Sequence, residues 1–140
     1  MSWFLCTISA TSKSNWQKCK DVGMWGIATS TGYASNDSAR KGDQLLFWIS
    51  GVGYVGYADV IENTRRPADP GETPWLGGST KYGLVIPMKM ATEIQPPLKL
   101  KFEDGRQIGT GILQAYFQRG FMPINDDSAN VVIELLSKSQ

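Results

Sequence analysis

Gln44-Leu45-Leu46-Phe47-Trp48-Ile49-Ser50-Gly51-Val52-Gly53-Tyr54-Val55-Gly56-Tyr57-Ala58-Asp59-Val60-Ile61 decides the fold. Its middle, Gly51-Val52-Gly53-Tyr54-Val55-Gly56, matches the G-x-G-x-x-G string of dinucleotide-binding folds. That site requires a helix after the glycines, with its N-terminal N–H groups aimed at the pyrophosphate. The chain instead continues with Tyr57-Ala58-Asp59-Val60-Ile61, whose branched and aromatic residues favour a strand. Gly51-Val52-Gly53 is therefore the turn of a β-hairpin, and the glycines serve that turn or a close approach of backbone. Phe47 and Trp48 are adjacent on the first strand, so only one of them can face the interior.

Outward from the hairpin, residues 2–9 alternate like a strand, and 12–20 read as a short helix with a serine start and a stop at Gly23. Residues 25–29 form a brief strand. Residues 37–40 suggest a helical turn, reversed at Lys41-Gly42-Asp43. A loop over 62–80 precedes strand-like stretches at 82–90 and around 98–102, with Pro87 marking an edge or a bulge. Residues 112–118 have no decisive period, and 121–124 are extended. A helix over 126–138 is capped by Asn125, has Asp126 and Asp127 at its positive end, and carries Ala129, Val132, Ile133 and Leu136 on one face. The sum is a mixed α+β fold in a single domain over 1–140: a small barrel of five or six strands with flanking helices.

Composition narrows the function. The 140 residues are 41 % apolar and 19 % charged, with a formal net charge of +1. So small a charge argues against coating nucleic acid by bulk electrostatics, because each neutralised phosphate needs a cation nearby. It leaves room for a local patch: Arg40, Lys41, Arg65, Arg66, Lys81 and Arg119 flank loops or strand ends. No apolar run reaches the roughly 20 residues of a membrane span. The first residues lack a basic leader and a cleavage site, so a cytoplasmic location is expected. Cys6 and Cys19 have no metal-ligand spacing and read as reduced, buried small hydrophobes. The chain contains no histidine, which removes the usual general base, every Ser-His or Cys-His pair and the commonest transition-metal ligand. The 13 acidic residues form no recognisable metal cluster. No enzyme activity, cofactor or metal is expected.

Trp25, in Gly23-Met24-Trp25-Gly26-Ile27, and Trp75, in Thr73-Pro74-Trp75-Leu76-Gly77-Gly78, stand beside polar, turn-rich segments with little local apolar material to bury an indole. Two displayed indoles can hold a flat heterocycle, each face about 3.5–4.0 Å from the ligand ring. A nucleobase is the commonest such ligand. Trp3, Trp16 and Trp48 lie inside predicted elements and read as core.

Taken in order, Asn15-Trp16, Trp25-Gly26, Lys41-Gly42-Asp43 before Leu45-Leu46-Phe47, Gly53-Tyr54-Val55-Gly56-Tyr57-Ala58, Pro74-Trp75 and Arg119-Gly120-Phe121-Met122-Pro123-Ile124 resemble the EVE family. This is a PUA-like branch related to YTH domains, and the resemblance runs over nearly the whole chain. It implies a binding domain that takes a modified base, flipped out of DNA or RNA, into an aromatic cage. By position Trp25 and Trp75 match the cage tryptophans and Asn15 the helix asparagine that reads the base edge. Gly26-Ile27 departs from the Cys/Ser-Thr of YTH domains, so a methyladenine preference does not transfer. Tyr33 and Asn36 are weaker rim candidates, and Arg40, Lys41, Arg65, Arg66 and Arg119 are candidate phosphate contacts. The partner implied is nucleic acid, with a separately encoded nuclease or restriction component as a further one. The rival readings are a small-molecule or protein-interaction module on the same fold, and a carboxylate-based enzyme acting on nucleotides.

Overall fold

A computed structural model describes residues 1–28 and 38–139. Strands β1 (Trp3–Ile8) and β3 (Gln44–Ile49) lie side by side in parallel, with Phe4 opposite Leu45 and Cys6 opposite Phe47. Successive side chains on a strand point to opposite faces, and here both faces are buried. Phe4, Cys6, Ile8, Leu45, Phe47 and Ile49 enter one apolar cluster; Trp3, Leu5, Leu46 and Trp48 enter a second. Phe47 is thus the member of its pair that joins Trp16, Trp25 and Trp75 in the first cluster.

Helix α1 (Ser14–Val22) caps the first cluster by placing Trp16 against Phe47, ring centroids 4.7 Å apart. It stops at Gly23, whose left-handed φ of 69° lets its N–H donate to the Cys19 carbonyl. The second cluster is covered by α3 (Asp126–Ser139) through Ala129, Val132 and Leu136. The Asn125 side-chain oxygen accepts from the Ser128 N–H at 2.7 Å, as a helix cap requires.

The remaining strands are β2 (Met24–Ala28), β4 (Gly53–Val60), β5 (Tyr82–Leu98) and β8 (Phe121–Ile124), with a separate two-residue ladder of β6 (Phe102–Glu103) and β7 (Arg106–Gln107). Sheet order is β2-β5-β4-β3-β1-β8, and β1–β3 is its parallel pairing. The sheet curls into a half-barrel with β2 and β8 as its two edges. Register shifts between β4 and β5 supply curvature. The hairpin glycines allow it: a Cβ on Gly56 would lie 2.5 Å from the Thr92 carbonyl oxygen, and one on Gly53 would strike the Leu98 carbonyl.

Three local expectations change. The strand expected over 82–90 runs on through 91–97 as one 17-residue strand, β5, which ends at Leu98, while Phe102 opens the separate β6. Pro87 stands where β5 changes partner, from β2 (Met24 opposite Pro87) to β4 (Val60 opposite Met88), so its missing N–H costs no ladder bond with β4. Residues 38–40 are not helical, and Asp37 lies outside the described residues. Ser12 ends a 3₁₀ turn, Ala10–Ser12, and the α-helix begins at Ser14. The loop after β4 holds a 3₁₀ turn (Pro70–Glu72) and a single-turn helix, α2 (Gly78–Lys81).

Candidate functional site

A cavity of about 270 Å³ opens between the two edges of the half-barrel. Trp25 and Gly26 of β2 form one wall; Arg119, Gly120 and Phe121, leading into β8, form another. Asn15 and Cys19 come from α1, Trp75 from the loop after β4, and Lys81 from α2. Asn15, Trp25, Trp75 and Arg119, four of the expected site residues, therefore meet at one place. Tyr33 and Asn36 lie outside the described residues.

The indoles are more buried than their sequence neighbourhoods suggest. Trp25 is 7 % exposed and packs on Phe47 at 5.6 Å; Trp75 is 4 % exposed and packs on Tyr82 at 5.1 Å. Besides Tyr82, Trp75 lies against Gly26 of β2, far away in sequence. A Cβ added to Gly26 would come within 2.7 Å of Trp75 Cζ3 and 2.9 Å of Tyr82 Cδ1, so the bare glycine backbone is what lets the indole lie down on β2. Gly26→Ala is accordingly expected to displace Trp75 and to cost about 1–3 kcal/mol by overpacking. Chemical denaturation together with the Trp75 environment in near-UV circular dichroism checks this.

Among the described residues neither indole nitrogen makes a full hydrogen bond; the Trp75 N–H has only the weakly accepting Cys19 sulfur beside it. A buried donor left this way costs about 1–3 kcal/mol, which an acceptor reaching it would recover. Burial pushes the Cys19 thiol up to about 12, with the Trp75 indole N–H beside it pulling the other way. Burial, and then Cys19, hold Cys6 well above its ordinary value. Both sulfurs are thus neutral thiols at pH 7 and poor nucleophiles. Among the described residues no three His, Cys, Asp or Glu side chains come together as a metal site, and no helix is long and apolar enough to cross a membrane.

Lys81 and Arg119 carry the only charges among the described lining residues, and both are positive. The Lys81 ammonium lies 5.3 Å from the Tyr82 ring centroid. The other expected phosphate contacts, Arg40, Lys41, Arg65 and Arg66, do not line the cavity. Arg40 and Lys41 belong to the turn before β3, where their backbone N–H groups donate to the Asp43 carboxylate and the Asn63 side-chain oxygen. Arg65 is held by a two-pronged ion pair, both of its hydrogen bonds to Glu72 measuring 2.8 Å. Sequence reasoning also passed over Tyr82, Gln118 and the packing role of Gly26, because nothing local links them to the tryptophans.

The Arg65 guanidinium, and after it the Ala68 N–H, pull the Glu72 carboxyl down from 4.5 to about 2. A depressed carboxyl stabilises the fold fully above its unfolded value and loses that contribution as pH falls through its folded one. Stability is therefore expected to decline between about pH 4.5 and pH 2 in the parent, and Glu72→Gln to flatten that part of the profile. Urea midpoints across the window measure it. The pair is partly exposed, so the effect is modest and shrinks in high salt.

No family model and no curated protein matches the chain. Solved structures do. The CPSF4-YTH domain of Toxoplasma superposes with a TM-score of 0.68 at 15 % identity, covering 99 % of this chain and 88 % of that one. A hypothetical protein from Leishmania major gives 0.65 at 16 % identity, covering 99 % and 96 %. The YTH domain of Zygosaccharomyces rouxii MRB1, solved in complex with N6-methyladenosine RNA, gives 0.61 at 16 % identity, covering 98 % and 88 %. The half-barrel and its flanking helices are thus those of the YTH-like fold.

Proposed function

We propose that this chain is a non-catalytic reader of a modified nucleobase, of the EVE branch of the YTH-like fold, that takes one extruded base into the cavity between β2 and β8. The observation that carries the proposal is the convergence of Asn15, Trp25, Trp75 and Arg119 on one cavity from four separate parts of the chain. Its volume of about 270 Å³ lies just below the 300–1,000 Å³ typical of drug-sized ligands, the scale of a single heterocycle. Extruding a base costs a few kcal/mol, and each base–aromatic stack returns about 1–3 kcal/mol. Two indole walls offset the extrusion. Asn15, half-buried on α1, offers donors and an acceptor to the base edge, so a wrong base leaves polar groups unpaired. The solved RNA complex of a YTH domain carrying N6-methyladenosine supports this class of ligand.

Fluorescence anisotropy tests the proposal with short RNA and DNA strands carrying N6-methyladenine, 5-methylcytosine, 5-hydroxymethylcytosine or no modification. One modified strand is expected to bind about 5- to 150-fold tighter than its plain counterpart, the worth of a well-placed contact of about 1–3 kcal/mol. Two phosphate contacts, to Lys81 and Arg119, predict a log–log salt slope of about −1.4 on single strands. Equal affinity for all strands, or a slope near zero, overturns the reading in favour of a small-molecule or protein ligand.

A further inference from the structure

Leu76 is 91 % exposed, the most exposed of the large hydrophobic residues among those described, while Trp75 beside it is 4 % exposed. The turn that presents it is tied at three points. The Thr73 N–H donates to the Pro70 carbonyl, the Gly78 N–H to the Trp75 carbonyl at 3.0 Å, and the Lys81 N–H to the Gly77 carbonyl at 3.2 Å. Gly77 and Gly78, at φ 98° and 51°, adopt backbone that other residues avoid. One exposed leucine is ordinary on a protein surface. This one is the tip of a fixed turn whose next residue inward walls the cavity, and whose succeeding helix supplies Lys81 to the same cavity.

A base drawn out of a duplex leaves an apolar gap in the stack. Proteins that unstack DNA fill such gaps with Leu, Ile, Met, Phe or Pro wedges. Leu76 follows Trp75 directly on the fixed turn, exposed where Trp75 is buried, so a base held against Trp75 brings the strand it left to the outer side of the turn, where Leu76 stands. We propose that Leu76 is a wedge that enters the base stack at the vacated position, so that the protein acts on double-stranded nucleic acid and not only on single strands. The proposal rests on the base-reading assignment of the cavity.

The test compares parent, Leu76→Ala and Leu76→Met on DNA strands carrying each of the three modified bases, alone and annealed to their complements. Leu76→Ala is expected to lose about tenfold or more in affinity for the duplex while staying within about twofold on the single strand, and Leu76→Met to track the parent on both. Because the side chain is exposed, the variants keep the parent's melting temperature. Equal loss on both forms, no loss on the duplex, or a parent that binds single strands but no duplex overturns the wedge and leaves the cavity assignment standing. A parent that binds neither form overturns both.

Discussion

Trp75→Ala is expected to weaken binding of the preferred modified strand by about 5- to 150-fold, the equivalent of the roughly 1–3 kcal/mol that one base–aromatic stack contributes. The indole lies on Gly26 and Tyr82 and forms a wall of the cavity, so nothing else in the loop can replace it. Its removal also opens a void, and truncating a buried Trp typically costs about 3–5 kcal/mol. The loop over Gly26 can settle into part of that space, which puts the cost at the lower end. Trp75→Phe separates the two effects: it keeps a ring to stack and loses the indole N–H. Calorimetry of all three proteins against the same strand, with melting curves beside it, gives the answer. A folded Trp75→Ala protein that binds as the parent does would sink the two-walled cage.

Phe47→Ala should have the largest effect on stability. The ring is fully buried and touches Trp16 on α1 and Trp25 on β2, at 4.7 and 5.6 Å between centroids. A loss of about 3–5 kcal/mol is a large share of the 5–15 kcal/mol that holds a domain together, and should lower the melting temperature by about 10–20 °C. Binding falls as well, because Phe47 backs Trp25 where it lines the cavity. Trp48→Ala is the matched control. Its ring packs on Tyr54 and Phe117 on the other face of the same strand. Comparable destabilisation with unchanged ligand affinity is expected there, measured below both melting points. If both substitutions weaken binding equally, the face of β3 that carries Phe47 has no special claim on the site.

The hairpin was legible because its alternation, its glycine turn and the absence of a helix after the glycines agree. The capped helix after Asn125 was legible for the same reason of local consistency. Strand β5 was not. Its second half, around Thr92 to Pro97, is half exposed and polar, and takes its extended form from pairing with β4 rather than from its own propensity. At the site, Trp25 and Trp75 were visible as residue types out of place, and Asn15 only through the family resemblance. Their burial was not, because the groups that bury Trp75 are a glycine on β2 and a tyrosine that opens β5, neither of which advertises its role in sequence. Of the candidate phosphate contacts Arg119 lines the cavity, whereas Arg40, Lys41, Arg65 and Arg66 lie outside it. Whether an arginine is available depends on its neighbours in space, and Glu72 takes up Arg65.

The pairing of β1 with β8 has a consequence for when this protein becomes competent. Cys6 stands opposite Phe121, so segments translated early must wait for one translated late, and contacts so remote in sequence form slowly. On the ribosome the hairpin can zip as soon as it emerges, whereas the cavity lacks its Phe121 side until that strand has left the exit tunnel. A nascent chain would thus present Trp25 with no opposing wall, and ligand capture would begin only after synthesis has passed β8.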